Sequence, residues 1–266
     1  MSADEATQQA ARMWSGGEYE GLSERLRPAA QALADACAVG AGQEVLDVAA
    51  GDGNFAIACA EEGCAVVASD FAPGMVERGR ARSEAEGCDI EWVEADAREL
   101  PFADDRFECV GSVFGAMFAP DPERTAAELF RVTRPGNTVG LACWTPRSAA
   151  IQMFEVSRRH QRQPAPGPPP ELWGDEDTVR ERLDDLANSF EFQRLELPWE
   201  ADSPEDFVAR MERHAPPQAA ARASMEPEAY AALRTDLVEL AREWAGGDGP
   251  VAMGAEYLVT VARRRG

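Results

Sequence analysis

The chain has 266 residues, of which 45% are hydrophobic and 28% charged, as is typical of a folded protein with one large α/β domain. Its formal net charge of −22 disfavours a nucleic-acid partner, which needs basic patches, and favours a small or cationic ligand. Because all 26 basic residues are arginine, chemistry through a lysine Schiff base is excluded.

Residues 43–144 alternate between short apolar segments and helical patterns, and a helical segment precedes them. Residues 1–42 predict helices that pack on a sheet or cover its mouth. Five Val-rich segments bounded by Gly, Asp or Pro predict strands: 43–49, 65–70, 90–96, 106–114 and 137–144. Helical patterns lie between them at 54–63, 73–87 and 121–136, the last ended by Pro135-Gly136. This β-α-β alternation predicts a doubly wound, mostly parallel sheet with helices on both faces.

After Trp144 the pattern changes to extra helices and two further strands. Residues 148–162 predict a helix, and the proline-rich residues 164–170 predict a stiff loop. The remaining patterns predict helices within 175–187, near 204–214 and near 226–245, and strands at 190–199 and 255–264. These strands complete a seven-stranded sheet of the α/β class, and we expect no second complete domain.

Targeting signals and metal-binding patterns are both missing from the sequence. No apolar run approaches the roughly 18 residues that span a membrane, and the first residues lack the basic and apolar regions of a signal peptide. We therefore expect no membrane partner and a cytoplasmic location. The six cysteines form no C-x-x-C pair and the chain has only two histidines, so we expect no metal.

The stretch VLDVAAGDGNFAIA, residues 45–58, contains Gly51, Gly53 and Ala56 in the order G-x-G-x-x-A. This pattern fits a dinucleotide site, a site for another nucleoside cofactor, or an ordinary turn from strand to helix. Three acids at successive strand ends help to choose between these alternatives. They are expected to face one edge of the sheet: Asp47, Asp70 and Asp96.

The charge of these acids favours one cofactor over another. Asp70 is placed to accept hydrogen bonds from both hydroxyls of a ribose, which fits any nucleoside. A carboxylate at Asp47, just before the glycine turn, would repel a pyrophosphate but attract an ammonium and a sulfonium. Asp96, one strand further along, can accept from an adenine amine. The residues therefore favour S-adenosylmethionine over a dinucleotide.

The span from about 45 to 144 resembles the class I S-adenosylmethionine-dependent methyltransferases, particularly the small-molecule group allied to the ubiquinone and menaquinone methyltransferases. Five segments carry the resemblance: VLDVAAGDGN, VVASDFAPGMVERGRAR, EWVEADARELPFADDRFECV, SVFGAMFAPDPERTAAELFRVTRPG and GLACWTP. It implies a Rossmann-like sheet whose last strand is antiparallel. It also implies an N-terminal helical cap (1–42), a cofactor-binding core (43–147), and acceptor-site helices with the last two strands (148–266), all in a single domain.

The resemblance implies roles for the residues around the glycine turn. The turn comprises Ala49, Ala50, Gly51 and Gly53 and would pass beneath the methionine part of the cofactor. Asp47 would bind the ammonium group of the cofactor directly or through water. Residues 112–114, from Ser112 to Phe114, would lie beside the sulfonium. Ala49 departs from the family pattern because it occupies the first glycine position, and alanine there is strained if its φ is positive.

The resemblance also implies an adenosine site. Asp70 would bind the ribose diol, and Phe71 and Met75 would pack near the adenine. Asp96 would accept from the adenine amine while the amide of Ala97 donates to a ring nitrogen.

The implied reaction is in-line transfer of a methyl group to an O, N or C atom of a small-molecule acceptor. The acceptor pocket is expected between Trp14 and Tyr19, the loop 114–118 and the helices after Trp144, and its apolar residues favour an apolar or aromatic acceptor. No catalytic base stands out; the weak candidates are His160, His214 and Tyr19. The protein is expected to be a monomer or homodimer.

Two alternatives to methyl transfer remain open at this stage. A nicotinamide-dependent oxidoreductase would share the fold and the glycine pattern. A methyltransferase-fold protein could also bind the cofactor without transferring its methyl group.

Overall fold

The computed structural model describes residues 3–160 and 167–266 and contains a single seven-stranded sheet. Its strands are β1 Glu44–Val48, β2 Ala65–Asp70, β3 Ile90–Glu94, β4 Phe107–Val113, β5 Thr133–Trp144, β6 Ala187–Ala201 and β7 Val251–Arg264. Their order is β3-β2-β1-β4-β5-β7-β6. Strands β1 to β5 are parallel, whereas β7 is antiparallel to both β5 and β6. The predicted fold class is confirmed.

Ten α-helices surround this sheet in the described part of the chain. They are α1 Ala3–Trp14, α2 Glu20–Cys37, α3 Asn54–Glu61, α4 Pro73–Glu86, α5 Pro122–Val132, α6 Ala149–Arg159, α7 Glu176–Leu183, α8 Pro204–His214, α9 Pro216–Ser224 and α10 Pro227–Ala245. Short 3₁₀ segments lie at Ala116–Phe118 and Pro170–Gly174. Among the described residues, no helix is long and apolar enough to cross a bilayer.

Glycines in the central strands allow two helices to pack directly on one face of the sheet. Gly111 of β4 and Gly140 of β5 are neighbours in the sheet and point to the same face. A Cβ at Gly140 would lie 2.3 Å from Sγ of Cys37 in α2, and one at Gly111 would lie 2.1 Å from the ring of Phe55 in α3. These contacts hold α2 and α3 against β4 and β5, next to the strand that carries the glycine turn.

Some predicted boundaries were wrong. The helix predicted to end at Pro135-Gly136 ends at Val132, and Thr133 already pairs with Phe107 as the start of β5. Proline disfavours the α conformation of the residue before it, so Arg134 cannot continue the helix. Helix α9 was missed because its two starting prolines suggest a break, although proline is favoured in a first turn. Residues 161–166, which hold the end of the predicted helix 148–162 and the start of the proline-rich loop, lie outside the described residues.

Candidate functional site

The glycine turn that follows β1 is built from residues in the left-handed conformation. Ala49, Gly51 and Gly53 have φ angles of 54°, 59° and 93°. The amide of Gly51 donates a 2.9 Å hydrogen bond to Asp70 Oδ2, which ties the turn to the end of β2. A Cβ at Gly53 would lie 2.8 Å from the Trp92 ring, so the turn also needs glycine for space. The turn thus stands at the carboxyl ends of the parallel strands, as predicted.

Ala49 is the strained member of the turn, because its positive φ brings Cβ close to the backbone. It packs against Gly115, two residues after the end of β4. A Cβ at Gly115 would lie 2.2 Å from the Ala49 carbonyl oxygen and 2.7 Å from the Ala49 Cβ. The position of Ala49 therefore depends on the missing side chain at Gly115.

Replacing Ala49 by glycine is expected to stabilise the protein by about 0.5 to 1 kcal/mol, because relief of left-handed strain exceeds the entropy that glycine adds to the unfolded chain. Urea unfolding measures the change. Ala38→Gly is a matched control, since Ala38 also has a positive φ of 52° and caps α2 away from the turn. A loss of stability confined to Ala49→Gly would contradict strain at this position.

Asp47 lies beneath the turn and is almost completely buried, at 1% exposure. Its Oδ2 accepts a 2.9 Å hydrogen bond from the Ala56 amide in the first turn of α3, while its Oδ1 has no partner among the described residues. Burial, together with the nearby carboxylates of Asp70 and Asp52, raises the pKa of Asp47 well above its ordinary value, against the effect of the Ala56 hydrogen bond. One oxygen therefore remains available to a donor or a cation.

Asp70 ends β2 with both carboxylate oxygens fixed by the backbone. Oδ1 accepts from the Ala72 amide and Oδ2 from the Gly51 amide, each at 2.9 Å. Burial raises the pKa of Asp70 to about 6, although its backbone hydrogen bonds act in the opposite direction. The side chain is held in one orientation at the edge of the turn.

The predicted adenine residues are only partly brought together. Asp96 lies two residues beyond β3, and both of its oxygens accept hydrogen bonds from Arg98, at 2.6 Å for Oδ2 to Nη2. Burial acts to raise the pKa of Asp96, but the hydrogen bonds from Arg98 outweigh it and lower that pKa. Ala97 is buried beside it, and Met75 is packed in the core at the start of α4.

A cavity of about 500 Å³ lies at this end of the sheet, between α1 and the loop after β2. Residues from both sides line it, including Ala11, Ser15, Phe71, Gly74 and Glu94. Since Glu94 pairs with Asp70 across β2 and β3, the cavity adjoins the predicted ribose and adenine residues.

The end of β4 is fixed by a hydroxyl and by ring stacking. Ser112 Oγ donates to the Val48 carbonyl at 2.6 Å and accepts from the Ala116 amide at 2.9 Å, which joins β4 to β1. Phe114 has a positive φ of 51°, and its ring stacks on Trp144 with the ring centroids 3.7 Å apart. A bulky residue rarely adopts this conformation, and such strain is found mostly at functional sites.

Tyr19 is the one predicted base candidate that reaches the turn. A Cβ at Gly51 would lie 3.3 Å from the Tyr19 hydroxyl. Burial raises the pKa of Tyr19 above its ordinary value, and the carboxylates of Asp52 and Asp70 raise it further. Tyr19 therefore stays protonated at neutral pH and is a hydrogen-bond donor rather than a base.

The two histidines are engaged elsewhere. His214 Nδ1 donates a 2.8 Å hydrogen bond to the Glu18 carbonyl, and His160 Nε2 lies 2.7 Å from Asp236 Oδ2 in α10. The sequence predicted a helix over residues 148–162, with His160 inside it. In the structure His160 is the residue that caps the C-terminal end of α6. Neither ring is placed against the glycine turn by these contacts.

A polar network that sequence reasoning missed holds the turn to α2 and α4. Ser23 Oγ donates to Asp52 Oδ1 at 2.6 Å, and Arg82 Nη1 lies 3.1 Å from the same oxygen. Arg82 also donates to Asn54 Oδ1, and Asn54 Nδ2 donates to the Ser23 carbonyl. Arg82 lies 30 residues beyond Asp52 in sequence, and no local sequence pattern predicts their contact.

Replacing Arg82 by methionine is expected to lower the free energy of unfolding by about 2 to 3 kcal/mol, because the buried Asp52 carboxylate loses its cation. Urea unfolding is the measurement. Arg80→Met serves as control, since Arg80 makes a single long bond of 3.4 Å to the Trp92 carbonyl. Equal effects of the two substitutions would argue against a special role for Arg82.

Three aromatic rings meet from the elements predicted to border the acceptor. Trp14 at the end of α1 lies 5.3 Å from Phe118, and Phe118 lies 5.6 Å from Phe154 in α6, measured between ring centroids. They come from the N-terminal helix, the segment after β4 and the first helix after β5. These three elements therefore contact one another through apolar rings, while their role toward an acceptor stays a prediction.

Comparison with known proteins agrees with this geometry. Residues 45–136 match the methyltransferase domain family. An uncharacterised protein of Mycobacterium tuberculosis is 36% identical over 259 residues, covering 95% of this chain and 93% of that protein. The chain belongs to the S-adenosylmethionine-dependent methyltransferases. The predicted family, enzyme class and cofactor are therefore confirmed, and the nicotinamide-dependent alternative is set aside.

The chain is also similar to one enzyme over part of its sequence and to two solved structures in fold. The demethylmenaquinone methyltransferase of Clavibacter sepedonicus is 43% identical over 99 residues, which cover 37% of this chain and 40% of that enzyme. Phosphoethanolamine N-methyltransferase 2 of Haemonchus contortus has a TM-score of 0.56 at 18% identity over 90% of this chain and 53% of that one. The [4+2]-cyclase SpnF has the same TM-score at 17% identity, covering 90% of this chain and 80% of that one. At these identities the two structures establish the fold alone.

Proposed function

We propose that the methyltransferase acts on an apolar or aromatic small molecule and binds its cofactor across the glycine turn. The observation that carries this proposal is the unpartnered Oδ1 of Asp47 beneath the turn. With Asp52 and Asp70 close by, it creates a negative potential that suits an ammonium and a sulfonium and opposes a pyrophosphate. A bound cation would lower the pKa of Asp47, which burial and the two neighbouring carboxylates raise.

The residues present fit the remaining parts of the cofactor. The Asp70 carboxylate would accept the ribose hydroxyls through the lone pairs that its two backbone bonds leave free. The cavity beside Phe71 would take the adenine. Asp96 would share an oxygen between Arg98 and the adenine amine, with the Ala97 amide beside it. Phe114 and Ser112 would border the sulfur.

The bound cofactor supplies a methyl group on a sulfonium, which is already a good leaving group. What remains for the protein is to align the acceptor and to exclude water. Trp14, Phe118 and Phe154 would hold an apolar acceptor in the predicted pocket. Since Tyr19 stays protonated, we propose that it orients bound groups by donating a hydrogen bond and removes no proton.

Cofactor affinity is expected to fall about tenfold between pH 7 and pH 5, because the ionised fraction of a carboxyl with a pKa of about 6 falls tenfold over that range. The contribution of Asp70 to the free energy of unfolding should instead increase between pH 7 and pH 5. Folding raises this pKa from 3.8 to about 6, so the contribution of Asp70 to stability decreases as the pH rises through that interval. Calorimetric titration with S-adenosylhomocysteine at several pH values measures the affinity, and a flat profile would contradict the role of ionised Asp70.

Product formation tests the proposed function. Purified protein with S-adenosylmethionine and a panel of apolar phenols, amines and carbon acids should form S-adenosylhomocysteine with at least one acceptor. Tight cofactor binding without turnover on any member would favour the alternative in which the fold binds the cofactor but transfers no methyl group.

A further inference from the structure

The 3₁₀ segment Pro170–Gly174 covers the carboxyl ends of the strands next to the proposed acceptor pocket. A Cβ at Gly174 would lie 2.1 Å from the Trp144 carbonyl oxygen, at the end of β5. A Cβ at Gly167, shortly before this segment, would lie 2.6 Å from the Pro120 carbonyl oxygen. The chain between them therefore runs from the loop after β4 to the end of β5, and α7 follows it directly.

Arg182 of α7 lies under this segment with its side chain only 7% exposed. Its guanidinium carbon is 4.5 Å from the centroid of the Trp173 ring, which is itself buried. Among the described residues, Arg182 Nε, Arg182 Nη1 and Trp173 Nε1 have no hydrogen-bond partner. Three buried N–H donors thus stand together without an acceptor, although buried donors are paired in the great majority of cases.

Among residues 3–160 and 167–266, no carboxylate lies within hydrogen-bond distance of this guanidinium. Glu123 Oε1 is 3.9 Å from Arg182 Nε, and the Glu123 side chain is 77% exposed. The other ionisable group nearby is the Cys143 thiol of β5, whose pKa burial raises to about 12 while Arg182 acts to lower it. Glu123 is thus a distant and exposed counter-ion, so the buried guanidinium charge is only weakly compensated.

We propose that Arg182 and Trp173 form a subsite for a carboxylate group carried by the methyl acceptor. The donors can be satisfied only by acceptor atoms, and a guanidinium matches the planar oxygens of a carboxylate. A single negative charge balances the single guanidinium, whereas a phosphate dianion would leave a buried charge uncompensated. The inference rests on the proposed function, since it names the class of acceptor: an aromatic or apolar acid.

Benzoate is the probe, with benzamide as its neutral counterpart and inorganic phosphate as the alternative anion. In wild-type protein at constant ionic strength, benzoate is expected to raise Tm, whereas benzamide and phosphate are expected to leave Tm unchanged. This comparison needs no variant. Three outcomes overturn the proposal. Benzamide stabilises the protein as much as benzoate does, phosphate alone stabilises it, or none of the three compounds does.

Arg182→Met tests the residue itself, and Arg180→Met is the matched control on the same helix, since Arg180 is exposed. Benzoate affinity should fall about tenfold or more in the first variant and persist in the second, because a charged hydrogen-bonding partner is lost. Tm of Arg182→Met without ligand should change little, because methionine can still pack on the Trp173 ring and the lost N–H donors have no hydrogen-bond partner among the described residues. Unchanged benzoate binding in this variant contradicts the subsite. Binding of S-adenosylhomocysteine, measured alongside, reports on the proposed function separately.

Discussion

Replacing Gly115 by alanine is expected to abolish measurable cofactor binding. The new Cβ would lie 2.2 Å from the carbonyl oxygen of Ala49, so the glycine turn must shift. Because φ at Gly115 is −112°, alanine adopts this backbone without strain and the whole effect is steric. Overpacking against backbone should also cost about 3 kcal/mol of stability. Calorimetric titration with S-adenosylhomocysteine, together with urea unfolding, measures both losses.

Two companion variants make this test specific. Gly40→Ala should change neither binding nor stability much, because a Cβ there has no atom within 4 Å. Combining Gly115→Ala with Ala49→Gly removes the 2.7 Å contact between the two Cβ atoms but leaves the carbonyl clash, so binding should stay lost. Normal affinity in Gly115→Ala would show that the turn does not set the cofactor site.

Removing the Asp70 carboxylate is expected to weaken cofactor binding by about 1.5 to 3 kcal/mol, the range of hydrogen bonds to a charged group. Asp70→Ala deletes the acceptors for the ribose diol and also releases the Gly51 amide from its anchor. Both effects act on the same ligand. Titration calorimetry with S-adenosylhomocysteine at pH 7.5 or above, where Asp70 is ionised, gives the difference directly.

Asp96→Ala is the matched control for Asp70→Ala. Both residues are aspartates near strand ends, but the Asp96 oxygens already accept from Arg98. A smaller loss is therefore expected for Asp96→Ala than for Asp70→Ala. The reverse order would mean that the adenine contact outweighs the ribose contact, and an unchanged affinity in Asp70→Ala would remove Asp70 from the site.

The sequence predicted the sheet and the position of its ligand edge because both depend on local patterns. Alternating Val-rich segments and helices imply parallel strands, and parallel strands bring their carboxyl ends to one edge. Asp47 and Asp70 could be placed there for that reason. The end of α5 was wrong by a few residues because Thr133 joins the sheet through a partner 26 residues earlier, Phe107.

The details of the site depend on contacts that no pattern encodes. The bond from Arg82 to Asp52 and the closeness of Gly115 to Ala49 follow from the assembled sheet. Backbone angles such as the positive φ of Phe114 are likewise set by tertiary packing. The contact between Asp96 and Arg98 is different, since the residues are two apart and their pairing could have been considered from the sequence.

The connector between α1 and α2, residues 15–18, is held in place mainly by its backbone. Arg78 Nη2 donates to the carbonyls of Ser15 and Gly17, and the amide and carbonyl of Glu18 bond to Arg213 and His214. Ser15 also lines the cavity beside Phe71, so any ligand whose entry moves the connector breaks these bonds. These bonds would then set the speed of ligand exchange, independently of affinity. Affinity would then depend on the residues at the sheet edge, whereas the rate of ligand release would depend on the connector between α1 and α2.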